Sequence, residues 1–155
     1  MRVYSNDFNQ DEMLDKSYTC DAEDFSPHLK WEDIPEGTKS FAISCTNNDT
    51  VQGIIAHWYV YNIPPDIREI PRAGPVPGIE LENDFNTIGY EGPNIQSGVH
   101  SYTFTVYALN IQKLDDISPI SFRKKVNIHA IEKAEITGKY EREFDFRMFR
   151  NLSCH

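Results

Sequence analysis

Apolar and polar positions alternate along several stretches of the chain, and that alternation predicts strands. In residues 39–46, Phe41, Ile43 and Cys45 share one phase. In residues 100–109, His100, Tyr102, Phe104 and Val106 fall on one face and Ser101, Thr103 and Thr105 on the other. Residues 56–63 (Ala-His-Trp-Tyr-Val-Tyr-Asn-Ile) are aromatic and β-branched with little alternation, as in a strand buried on both faces. Residues 139–149 alternate again through Tyr140, Phe144, Phe146 and Met148, interrupted by Arg142. Helical spacing is convincing in one place, residues 121–135, where Phe122, Val126 and Ile131 recur and Gly138 marks the end. Many short strands with a late helix predict a mainly-β chain. The expected fold is an antiparallel two-sheet β-sandwich with one or two short helices near the C-terminus, in a single domain over residues 1–155.

Composition narrows the classes. The 155 residues are 39% hydrophobic and 25% charged, the balance of an ordinary globular chain. No apolar run approaches the ~20 residues of a membrane helix. The start, Met1-Arg2-Val3-Tyr4-Ser5-Asn6-Asp7, lacks the apolar core of a secretory signal. Fifteen Lys and Arg against 24 Asp and Glu leave a net charge of −9. Such a surface repels phosphate backbones and anionic lipid faces, and the basic run Arg123-Lys124-Lys125 is too short to reverse it, so nucleic acid is not an expected partner. Cys20, Cys45 and Cys154 are odd in number, widely spaced and outside any CxxC or Cys/His pattern. They are read as reduced thiols of a cytoplasmic protein, with no metal and no cofactor.

Residues 74–98 form a long connection rich in Gly and Pro, and loops of that length in a compact domain are usually functional. Within it, Gly89-Tyr90-Glu91-Gly92-Pro93 has the glycines that let main-chain N–H groups approach an anion. His100 stands at the mouth of the following strand and His57 opens another, so the two rings converge beneath the loop if those strands are close. No GxSxG elbow, P-loop, HExxH or EF-hand loop is present. The acidic neighbours Asp115-Asp116 and Glu141/Glu143 read as solvated surface, and the sequon Asn151-Leu152-Ser153 has no role in a cytoplasmic chain.

These segments together resemble the phosphatidylethanolamine-binding protein family, in its bacterial and archaeal Raf-kinase-inhibitor-like branch. The resemblance rests on Tyr18-Thr19-Cys20-Asp21, Ser26-Pro27-His28-Leu29-Lys30-Trp31, residues 34–40, residues 57–64, Asn83-Asp84-Phe85, residues 89–102 and Ile136-Thr137-Gly138-Lys139-Tyr140-Glu141-Arg142. It implies a small anion pocket at one end of a sandwich. By motif, His57 and His100 are its histidines, Tyr102 its tyrosine, Asn47 and Asp49 its acid-motif positions, and Gly92 and Pro93 its loop, with Gly92 offering a main-chain N–H. Three departures stand out. Asn47 replaces the first acid of a Thr-Asp-Pro-Asp pattern, Asn94-Ile95-Gln96 replaces stiffening prolines, and Ser101 replaces an Arg. The implied function is non-enzymatic binding of a small anion (phosphate, acetate-like or phosphoethanolamine-like), linked to regulation of a protein partner such as a kinase. A protein-interaction module with a vestigial pocket and a weak hydrolase are the alternatives. The segment Pro71-Arg72-Ala73-Gly74-Pro75 is a candidate homodimer contact or lid.

Overall fold

A computed structural model describes residues 1–94 and 98–142. Among them run β1 (Arg2–Tyr4), β2 (Leu29–Glu32), β3 (Ser40–Thr50), β4 (Gly53–Ile63), β5 (Glu69–Ile70), β6 (Ile79–Glu80), β7 (Gly98–Leu109), α1 (Phe122–His129) and β8 (Ala130–Arg142), with a 3-10 turn at Lys16–Tyr18. The strands form two antiparallel sheets, β1-β2-β5 and β6-β4-β3-β7-β8. The mainly-β sandwich expected from the alternation is the observed fold.

The larger sheet is buried on both sides, which explains why residues 56–63 carry no simple alternation. One face packs against the smaller sheet: Phe41, Ile43, Trp58, Val60, Phe104 and Val106 meet Val3, Leu29, Trp31 and Ile70 in the main core. At the end of the other face, α1 lays Phe122 and Val126 on Ala42, Tyr59, Tyr107 and Leu109. The Phe122 ring stacks on Tyr59 with centroids 4.3 Å apart.

Helix α1 stops at His129, six residues before the end that its spacing predicted. Residues 130–135 belong to β8, which pairs with β7 from Leu109↔Ala130 to Gly98↔Arg142. A long ladder against a central strand outweighs the weak helical preference of this segment. The outer edge of β8 is covered as well: the N–H groups of Asp11 and Leu14 reach the carbonyls of Thr137 and Lys139, and the Lys139 N–H reaches Glu12. The strand expected over residues 139–149 is therefore the end of β8 as far as Arg142, and its remainder lies outside the described residues. The short strands β1, β2 and β5 escape a periodicity reading because two to four residues cannot establish a period.

The cysteines need a correction. Cys45 is a free thiol buried in the core, and burial pushes its pKa up. Cys20 is disulfide-bonded, not the reduced thiol expected. Spacing along a chain carries no information on which thiols meet, and cysteine usage ceases to argue for a reducing compartment. Cys154 and the sequon at residues 151–153 lie outside the described residues. No helix among the described residues is long and apolar enough to cross a membrane.

Candidate functional site

The site is assembled by an irregularity in β4. Opposite β3, Cys45 pairs with Trp58 and the next residue, Thr46, pairs with Ala56, which leaves His57 as the extra residue of a β-bulge. Strict alternation would send His57 to the face opposite Trp58. The bulge turns it instead onto the face that carries Tyr102, whose ring meets it edge-on at 5.1 Å between centroids. Asp84 clamps the bulge from the β6–β7 connection, accepting the Ala56 N–H on Oδ2 at 2.6 Å and donating its own N–H to the Ala56 carbonyl at 2.9 Å. The same turn brings the Phe85 ring to 4.9 Å from His57, and Asn83 braces it by accepting the Phe85 N–H and donating to the Gly89 carbonyl.

His57 is held from its other side by the glycine-containing loop. Its Nδ1 donates to the Glu91 carbonyl at 2.6 Å, and the Glu91 N–H donates back to the His57 carbonyl at 3.0 Å. The ring is 2% exposed. Burial disfavours its charged form and outweighs the carbonyls of Glu91 and Gly92 and the charges of Asp84 and Glu91, lowering its pKa to about 4. At neutral pH His57 is thus an uncharged ring with its proton on Nδ1 and an acceptor lone pair on Nε2.

His100, near the start of β7, lines the same cavity as His57, a space of about 670 Å³ whose walls include Asn47, Asp49, Asp84 and Phe85. The two histidines, 43 positions apart in sequence, thus stand on the wall of one cavity. His100 Nδ1 lies 2.9 Å from the Asn47 side-chain amide. Asn47 Oδ1 in turn accepts the Asp49 N–H at 2.9 Å, and Asp49 Oδ2 accepts the Ser101 N–H at 2.6 Å. The two positions of the acid motif therefore tie the end of β3 to β7 directly beneath His100. No Lys or Arg is among the described lining residues, while Asp49 and Asp84 both are.

Three expected contributors stand apart from the cavity wall. Tyr102 is fully buried behind His57, its hydroxyl has no hydrogen-bond partner among the described residues, and burial raises its pKa. The Gly92 N–H, expected to face a ligand, is already donated to Asp24 Oδ1 at 2.8 Å. A Cβ at Gly92 would sit 2.0 Å from the Tyr18 carbonyl oxygen, so this glycine serves close packing of the loop on the 3-10 turn. Pro93 is buried next to it and gives its carbonyl to the Cys20 N–H at 3.2 Å. Conversely, Asp84 and Phe85 belong to the site although sequence reasoning assigned them no part in it. Their signal was present in the Asn83-Asp84-Phe85 motif, without anything to indicate that it would fold over His57.

A β-sandwich with a histidine-lined cavity at one end of its larger sheet is the class of protein that these features define. Comparison with known proteins gives the family. The family model for phosphatidylethanolamine-binding proteins matches residues 4–141, and the chain belongs to that family. A UPF0098 protein of Aquifex aeolicus is 41% identical over 154 residues, covering 92% of this chain and 90% of the relative. One from Methanothermobacter thermautotrophicus is 35% identical, covering 92% and 99%. Among solved structures, Escherichia coli YbcL, titled a new member of the mammalian PEBP family, superposes with a TM-score of 0.85 at 31% identity, covering 92% of this chain and 98% of that one.

Proposed function

We propose that this chain is a non-enzymatic binding module that holds a small oxyanion, phosphate-like or carboxylate-like, such as inorganic phosphate or the free head group phosphoethanolamine. The observation that carries this reading is the pair His57 and His100, distant in sequence, on the wall of one cavity. Binding is favoured over turnover because the lining hydroxyl of Thr50 is spent on the Gly53 carbonyl at 2.6 Å, and no Ser or Cys is among the described lining residues. A regulated protein partner, a kinase among the candidates, enters through family membership alone. The test is to follow histidine side-chain NMR signals while adding inorganic phosphate or phosphoethanolamine. His57 and His100 should shift at millimolar ligand, with His28 and His129 as internal controls. Unmoved His57 and His100 signals with both compounds would overturn the reading.

A further inference from the structure

The amide of Asn47 has its orientation chosen for it. Its Oδ1 accepts the Asp49 main-chain N–H at 2.9 Å, so its NH2 is the group turned toward His100 Nδ1, also at 2.9 Å. An NH2 can only donate, so His100 Nδ1 must be the acceptor and the ring's proton sits on Nε2. A doubly protonated His100 would press Nδ1–H against the Asn47 NH2. Turning the amide over would relieve that clash only by facing NH2 to the Asp49 N–H. A carboxylate at position 47 would accept from both sides and impose neither restriction. On the other wall, His57 Nδ1 donates to the Glu91 carbonyl. The two rings are thus complementary: His100 offers an N–H from Nε2, and His57 a lone pair on Nε2. The titratable and charged groups around them are Asp49 from β3, Asp84 and Glu91 from the β6–β7 connection, Tyr102 from β7, and Tyr140 and Arg142 from β8, of which Tyr140 pairs with His100 and Arg142 acts electrostatically on Tyr102. None of the described lining residues supplies a positive charge.

We propose that Asn47 is a specificity-determining positioning residue: it holds His100 as the neutral Nε2–H tautomer, so that the cavity selects a singly protonated phosphate monoester over the dianion. This rests on the oxyanion-binding reading above and names the form of the ligand. A monoester monoanion presents one P–OH and charged oxygens, matching one acceptor and one donor. The dianion has no O–H for His57 and meets the carboxylates of Asp49 and Asp84 with no Lys or Arg among the described lining residues.

The experiment compares methyl phosphate with dimethyl phosphate, which carries the same single charge but no O–H. At about pH 5.5, below the second pKa of a phosphate monoester near 6, methyl phosphate should shift the His57 and His100 signals. Dimethyl phosphate should bind about tenfold more weakly or not at all, and methyl phosphate at pH 8 should weaken by a similar factor. In the ligand-free protein, 15N spectra should show His100 protonated on Nε2 and bare on Nδ1 at pH 7. Asn47→Asp should move the proton to Nδ1 and reduce the preference for pH 5.5. Dimethyl phosphate binding as tightly as methyl phosphate, or a proton on His100 Nδ1 in the unsubstituted protein, would overturn this inference while leaving an oxyanion pocket intact. If neither phosphate moved either ring, both this inference and the broader reading would fall.

Discussion

Burial holds His57 near a pKa of about 4 in the folded chain, against 6.5 for the free side chain. Above pH 6.5 both folded and unfolded forms are neutral there and the residue costs nothing. As pH falls from 6.5 toward 4, the unfolded chain takes up a proton that the folded one refuses, so stability declines by roughly 3 kcal/mol across that window. Urea midpoints at pH 7 and 4.5 check this: His57→Gln should lose roughly 2–3 kcal/mol less than the unsubstituted chain on acidification. An equal loss in both would show that His57 is charged when folded. Gly92 makes the second residue-scale case. Gly92→Ala places a methyl group 2.0 Å from the Tyr18 carbonyl oxygen and 2.6 Å from Asp24 Oδ1. Overpacking against main chain should lower stability by roughly 2–3 kcal/mol, visible as a lower melting temperature. Both residues were legible as important from composition and context. What Gly92 approaches was not, because Tyr18 and Asp24 lie some seventy positions earlier and reach the loop only through the fold.

At the scale of elements, β3 and β7 were readable because their larger apolar residues recur at every second position, and Phe41, Ile43, Cys45, Tyr102, Phe104 and Val106 all pack into the core between the two sheets. The tail of α1 was misread because Val126 and Ile131 satisfy a helical period while residues 130–142 form a ladder along the whole of β7. Nothing local reports on a partner strand. Phe122 nevertheless behaves as its position suggested: it is wholly buried, stacked on Tyr59, and anchors α1 to the sheet. Phe122→Ala should cost roughly 3–5 kcal/mol in chemical denaturation. Because α1 covers the face of the sheet opposite the His57 ring, the same variant, below its unfolding transition, should retain the ligand-induced shifts of His57 and His100. Loss of those shifts in a still-folded Phe122→Ala protein would mean that the two faces are coupled.

For the whole molecule, the net charge of −9 sets a field that opposes an incoming anion. Two carboxylates and no described cation line the cavity, so the local field adds to the global one instead of reversing it. Raising ionic strength from 0.01 to 0.15 M shortens the screening length from about 30 to about 8 Å and should tighten methyl phosphate binding at pH 5.5, the reverse of the usual salt effect on anion sites. A Kd that rises with salt would point to a positive patch near the mouth. Periodicity and side-chain chemistry along the chain were enough to determine a mainly-β sandwich, an acidic net charge and two histidines on separate strands. Those properties depend on each residue's own polarity and on its near neighbours. The tertiary structure alone decided that a bulge turns His57 beside Tyr102, that Asp84 and Phe85 close over it, that Gly92 packs instead of donating to a ligand, and that Asn47 meets His100. Each of these is a contact between residues far apart in sequence, set by strand register and loop closure, and a one-residue shift in register would send every such side chain to the opposite face.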